Sequence, residues 1–175
     1  MRRKFITAYN SLEELLTRLN ELISLINGAL LLSHGIRKNS EVNIILVKEW
    51  SELRIIGRFL RNYRPDFESA SGLIKRALAR GESKGIIFKR IQHKKVHVTH
   101  DIVFVIDPKG VKVNYLFNIL KERKSKGIAI VLPSAKEYVS FSEKCRVYHI
   151  NMSENLYTTD QVVTILNIVL DNMGW

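Results

Sequence analysis

The sequence predicts an α/β fold: a mainly parallel sheet with helices on both faces. Three observations point there. Val42 to Val47 is a short, almost unbroken apolar run, the pattern of a strand covered on both sides. From Ile102 onward, short apolar runs alternate with stretches of helical spacing, and alternation of that kind requires right-handed crossovers between parallel strands. Near the start, Leu12, Leu15, Leu16, Leu19, Leu22, Ile23, Ile26 and Leu30 recur at helical intervals, enough to cover one face of such a sheet.

The elements follow in order. Phe5-Ile6-Thr7 opens as a strand, and Ser11-Leu12-Glu13-Glu14 matches a capping box from which one amphipathic helix runs to about Leu32. After the strand at Val42 comes another from Leu53 to Gly57, then a basic and aromatic segment ending at Pro65 and a helix from about Asp66 to Arg80. Gly85 to Phe88 is the next strand. The last third reads as strand Ile102 to Ile106, a turn at Asp107-Pro108-Lys109-Gly110, a helix to about Arg123, and strand Ile128 to Leu132. A helix to about Lys144, strand Val147 to Ile150 and a closing helix from about Thr158 to Asn172 complete it. No repeat or long linker divides the 175 residues, so residues 1–175 are expected to form one domain.

Composition narrows the partners. With 46% hydrophobic and 26% charged residues the chain is far from the signature of disorder. Its 28 Lys and Arg against 17 Asp and Glu leave a formal charge of +11, an excess that attracts polyanions by releasing their counterions. The charge is clustered: Ser83 to His100 holds Lys84, Lys89, Arg90, Lys94 and Lys95 with no acidic residue, a track suited to phosphates. Arg54, Arg58, Arg61 and Arg64 interleave with Phe59, Tyr63 and Phe67, offering phosphate contacts and stacking surfaces, although Phe59 and Phe67 fit a core equally well.

Several classes drop out. No Gly-x-Gly-x-x-Gly, P-loop or Gly-x-Ser-x-Gly elbow is present, so hydride transfer, nucleotide hydrolysis and serine-hydrolase chemistry are not expected. His93, His97 and His100 stand among lysines without a completing carboxylate or cysteine, so no metal is expected. The longest apolar stretch, Ile23 to Leu32, is short of the roughly 20 residues that span a bilayer. The basic start leads into the polar run Thr7 to Asn10 rather than a secretory segment, and the single Cys145 suits a reducing compartment, so a cytoplasmic protein is expected. In an open parallel sheet, ligands sit beyond the carboxyl ends of the strands, which singles out the loops Asp107–Gly110, Leu132–Ala135 and 151–157.

The residues carry a resemblance. Leu32-Ser33-His34-Gly35-Ile36-Arg37-Lys38, Ile56-Gly57, Leu73-Ile74-Lys75-Arg76-Ala77-Leu78, Gly85-Ile86-Ile87-Phe88-Lys89-Arg90 and the closing Thr164 to Asp171 resemble the archaeal tRNA pseudouridine-54 N1-methyltransferases, members of the SPOUT superfamily. That resemblance implies a C-terminal trefoil knot, a homodimer, S-adenosylmethionine as cofactor and tRNA as substrate. It implies a cofactor site in three loops, formed by Ile106, Asp107 and Gly110, by Leu132 and Pro133, and by Ile150, Ser153 and Leu156. Leu132, Ile150 and Leu156 are expected to enclose the adenine ring. Arg18 and Asn20 fall where the family has Gly-Arg-Leu-Asp and are the candidate catalytic pair. Arg37, Lys38, Arg54, Arg58, Lys89 and Arg90 are the candidate RNA contacts. A non-catalytic RNA-binding protein of the same fold is the alternative.

Overall fold

The computed structural model describes residues 2–121, 125–152 and 158–174. In chain order these form β1 (Arg2–Tyr9), α1 (Leu12–Thr17), α2 (Leu19–Leu30), β2 (Leu31–Leu32), β3 (Gly35–Ile36), β4 (Ser40–Leu46), β5 (Ser51–Ile56), α3 (Phe67–Arg80), β6 (Glu82–Ser83) and β7 (Ile86–Arg90). There follow β8 (Val96–Val98), β9 (Ile102–Lys112), α4 (Leu116–Lys121), β10 (Gly127–Val131), a 3-10 helix at Pro133–Tyr138, β11 (Val139–Phe141), β12 (Arg146–Asn151) and α5 (Thr159–Asn172). An eight-stranded sheet runs in the order β12-β9-β10-β1-β4-β5-β7-β6. Every pairing from β12 across to β4 is parallel, and every pairing from β4 out to β6 is antiparallel.

The unbroken apolar runs have a direct cause. Along the central strands alternate side chains enter two separate cores: Phe5, Ile44, Phe104 and Ile130 face one, while Ile6, Ile45, Val105 and Val131 face the other. A strand buried on both faces has no polar position to show. The first core is roofed by residues of α1 to α5. The second is covered by Val96 and Val98 of β8, Val139 of β11 and Ala135 of the 3-10 helix.

Here the structure corrects the expectation of helices shared between faces. All five α-helices contribute to one side, and the segment expected to be helical up to Lys144 is a six-residue 3-10 helix followed by β11. The long first helix is also two helices, broken at Arg18 (φ −101°, ψ 28°) and ended at Leu30. Apolar spacing persists across the break, which is why periodicity alone reads it as one. The expected turn at 107–110 is instead carried within the long strand β9, and a 3-10 turn at Val113–Tyr115 precedes α4. The helix caps agree with the sequence: Ser11 accepts from the Glu14 N–H, Asp66 from the Ser69 N–H, and Thr158 forms a capping box with Gln161.

A polar network locks the last helix onto the first strand. Arg3, only 1% exposed, donates to Asn167 Oδ1 at 2.8 Å and pairs with Asp171 Oδ1 at 2.8 Å. Arg37 meets the same carboxylate with both terminal nitrogens, each at 2.7 Å. Asn167 in turn donates to the Gly28 and Ala29 carbonyls at 2.7 and 3.2 Å, satisfying groups at the end of α2. The helices approach so closely here that a Cβ on Gly28 would lie 2.5 Å from Thr164 Oγ1. Among the described residues no helix is long and apolar enough to cross a membrane.

Candidate functional site

The parallel strands β9, β10, β1 and β4 end at one edge of the sheet, and the segments that leave them gather there. Pairing between β9 and β12 stops after Val105–His149 and resumes at Val111–Ile150, so Ile106 to Gly110 fall outside that ladder. Their main-chain groups are therefore not committed to it. Gly110 is required by the return: a Cβ there would stand 2.5 Å from the His149 carbonyl carbon and 2.6 Å from the Ile150 nitrogen.

Asp107 ties the loops together. Its carboxylate receives Lys136 Nζ at 2.5 Å, the Lys109 N–H at 3.0 Å and lies 3.1 Å from His149 Nδ1. Hydrogen bonding from Lys136 first, then from Lys109 and His149, holds this carboxyl well below the usual carboxylate range. Asn151 Nδ2 donates to the Pro108 carbonyl at 2.8 Å, a second link between β9 and β12. The Ser134 hydroxyl accepts the Ala8 N–H at 3.0 Å and shares a hydrogen bond with Thr7 Oγ1 at 3.0 Å, fastening the 3-10 segment to the end of β1.

Beside these loops lies a cleft of 290 Å³. Ala8 and Asn10 line it from the end of β1, Glu14 and Arg18 from the α1–α2 break, and Pro133, Lys136 and Glu137 from the 3-10 helix. Arg18 is held from three directions: Glu14 Oε1 at 2.9 Å, Glu21 Oε2 at 2.5 Å and the Tyr9 ring, whose centroid lies 5.6 Å from the guanidinium carbon. Burial pushes the Tyr9 hydroxyl up to about 12, against an opposing pull from Arg18, so that hydroxyl stays protonated at neutral pH. Ion pairs this exposed add little stability, so their effect is orientation: one guanidinium kept in one place at the cleft wall.

The expected site residues separate. Arg18 lines the cleft; Asn20 is exposed on α2 and is not among the cleft residues. Pro133 lines it as well, and Asp107 reaches it through Lys136. Leu132 and Ile150, expected to enclose a ring, are wholly buried in the core, and Ile106 is 6% exposed, so their side chains present little or no surface to a ring. Ser153 and Leu156 lie outside the described residues.

The RNA contacts also divide. Arg37 is committed to Asp171 and only 13% exposed, because the end of α5 needs a cation there. Lys38, Arg54 and Arg58 line a groove of 430 Å³ at the opposite end of the sheet, where β1 and β4 begin. Lys89 pairs with Glu52 at 3.1 Å and, like Arg90, is exposed on β7. His97 lies 3.3 Å from Ser140 Oγ across the β8–β11 ribbon, and Cys145, half-buried, donates to the Val98 carbonyl. Among the described residues no group of three or more His, Cys, Asp or Glu is arranged to hold a metal ion. Tyr9, Glu14, Lys136 and Glu137 were not foreseen as site residues. Only Glu14 carried a signal, as the N3 residue of its capping box.

No protein-family model matches the chain. Over 65 residues it is 38% identical to the tRNA (pseudouridine(54)-N(1))-methyltransferase of Haloferax volcanii, a match that takes in 37% of this chain. The matched stretch spans about a third, 32%, of that relative's own length. Among solved structures it matches Archaeoglobus fulgidus Nep1 bound to S-adenosylhomocysteine, with a TM-score of 0.59 and 12% identity over 98% of both chains. The chain thus shares its overall fold with Nep1, and the resemblance to the archaeal tRNA pseudouridine-54 N1-methyltransferases is borne out.

Proposed function

We propose that this protein is an S-adenosylmethionine-dependent methyltransferase that modifies tRNA, with pseudouridine N1 as its target atom. One observation carries the reading: Arg18 is immobilised on a cleft whose opposite wall, Pro133 to Lys136, is shared with the strand-end loops. The donor set fits the cofactor. Ile106, Asp107 and Gly110 lie outside the β9–β12 ladder and can turn main-chain groups to an adenosyl group, while Lys136 and Glu137 supply the opposite charges that a methionine zwitterion needs. When bound, the cofactor supplies an electrophilic methyl group on sulfur. Homodimer formation, a C-terminal knot and a cytoplasmic location belong to the same proposal.

The residues of the chain then take distinct tasks. Arg18 orients the target ring at the mouth of the cleft, and its fixed guanidinium makes that a matter of proximity rather than of charge transfer. A ring N–H loses its proton as the methyl arrives, and a carboxylate is the natural acceptor. Asn20 is an amide and stands off the cleft, whereas Glu137 lines it and is in no ion pair among the described residues. Glu14 is already engaged by Arg18 and by the Asn10 N–H at 2.7 Å. Glu137 is therefore the proton acceptor in this scheme.

Isothermal titration with S-adenosylhomocysteine and transfer of a radiolabelled methyl group to tRNA test the proposal together. Saturable binding with incorporation supports it. Salt-sensitive tRNA binding without cofactor binding or incorporation supports the second reading, a non-catalytic RNA-binding protein, which the exposed amide at position 20 favours.

A further inference from the structure

The groove at the amino-terminal end of the sheet lies at the far end of β1 from the cleft. Strand geometry separates them by roughly 23 Å, the seven steps of about 3.3 Å from Arg2 to Tyr9. Its walls carry Arg2, Lys4, Lys38, Arg54, Arg58 and His100 against a single acid, Glu41. Glu41 is shared between Lys4 at 3.1 Å and Arg54 at 3.4 Å. No carboxylate among the described residues pairs with Arg2, Lys38 or Arg58. The groove therefore holds a surplus of positive charge.

Two further features point to a ligand. Ser40 is 2% exposed, lines the groove, and its hydroxyl has no hydrogen-bond partner; the buried Arg54 Nε and His100 Nδ1 on the same walls are also unpartnered. Buried polar atoms are normally satisfied; Arg54 Nε can only donate, and the Ser40 hydroxyl and His100 Nδ1 can donate as well, so an acceptor such as a phosphate oxygen suits all three. Phe59 is 56% exposed on the rim, with the Arg58 guanidinium carbon 5.9 Å from its ring centroid. An exposed ring beside unpaired cations is a platform for a base next to a bound phosphate.

We propose that this groove is a second RNA-binding site, holding a backbone phosphate between Lys38, Arg54 and Ser40 with an unpaired base stacked on Phe59. It anchors the RNA one strand length from the cleft. The inference rests on RNA being the substrate and is independent of methyl transfer. Stacking favours a nucleotide over an acidic peptide, which has charge but no ring to offer.

Fluorescence anisotropy of a labelled single-stranded hexaribonucleotide, measured across a salt series, tests it. Lys38, Arg58 and Phe59 are all exposed, so their substitution leaves the core intact. Phe59→Leu is expected to weaken binding about five- to a hundredfold with the salt slope unchanged. Lys38→Ala and Arg58→Ala are each expected to reduce the salt slope by roughly 0.7, the loss of one phosphate contact on a single strand. Binding unaffected by Phe59→Leu, or matched by an oligoglutamate of equal charge, overturns the proposal. S-adenosylhomocysteine titration of the same variants separates the two readings. Absence of cofactor binding in the unsubstituted protein removes the methyltransferase, whereas loss of the Phe59 effect removes the anchor.

Discussion

Asp171→Ala removes the acceptor on which two arginines converge, and the structure sets how much that costs. Arg3 is 1% exposed and loses its 2.8 Å partner; Arg37, 13% exposed, loses two contacts at 2.7 Å. Stripping one member from a fully buried pair costs about 3–5 kcal/mol. Two features reduce that figure here. Asp171 is itself 38% exposed, so water reaches the vacated position, and Arg3 keeps its bond to Asn167. A loss of about 2–3 kcal/mol is expected, which for a chain of this size lowers Tm by about 4–12 °C. Urea denaturation followed by far-ultraviolet circular dichroism measures it. The pH dependence has a definite sign. Burial raises the Asp171 carboxyl, but the hydrogen bonds from Arg37 and Arg3 outweigh it and leave the folded value below the ordinary one. The contribution is thus present above about pH 4, the unfolded value, and fades as pH falls through the folded one. A Tm within a degree of the unsubstituted protein at pH 7, or an Asp171→Asn gap that does not narrow below pH 4, refutes the argument.

Three other outcomes follow from the site. Glu21→Gln releases one side of the clamp on Arg18 and is expected to cost about tenfold in kcat/KM for methyl incorporation, with melting temperature within about 2 °C because the pair is exposed. Asp107→Asn weakens the grip on Lys136 and His149, so S-adenosylhomocysteine affinity in calorimetry is expected to fall about tenfold while tRNA binding holds. Glu137→Gln is expected to lower single-turnover methyl transfer about a hundredfold at saturating cofactor; an unaltered rate removes Glu137 as proton acceptor.

Much of the fold was legible because burial on both faces leaves a plain mark. Val42 to Val47 reads as a covered strand since Ile44 and Ile45 point into different cores, and the closing helix is announced by Thr158 with Gln161. What stayed hidden depends on contacts distant in sequence. The break at Arg18 leaves the apolar spacing untouched, and the Glu14 and Glu21 carboxylates that hold its guanidinium come from the helices on either side. Asp107-Pro108-Lys109-Gly110 has turn composition, yet Pro108, which lacks an N–H, sits where the β9–β12 ladder is interrupted and a strand loses nothing by it. Arg37 looked like a free cation because its partner stands 134 positions away. Lys136 and Glu137 belong to a segment held at the cleft by Ser134, fastened to Thr7 and Ala8, and by the Lys136–Asp107 pair.

The two ends of the sheet differ in chemistry, and that difference bears on substrate size. At the carboxyl edge both signs of charge are interleaved: Glu14, Glu137 and Asp107 with Arg18 and Lys136, a setting for a zwitterion and a departing proton. At the amino edge the surplus is positive, a setting for phosphates. β1 joins them, Arg2 in one site and Tyr9 in the other, roughly 23 Å apart by strand rise. A free nucleoside can occupy the cleft alone and gains nothing from the groove. A folded RNA spans both, and the second contact becomes intramolecular, with the effective concentration that implies. The nucleoside is therefore expected to be methylated at least about a hundredfold less efficiently, in kcat/KM, than an RNA that carries the target base beside an unpaired nucleotide. Lys38→Ala with Arg58→Ala is expected to erase most of that gap while leaving the nucleoside rate alone; equal losses on both substrates refute a division of labour between the two ends.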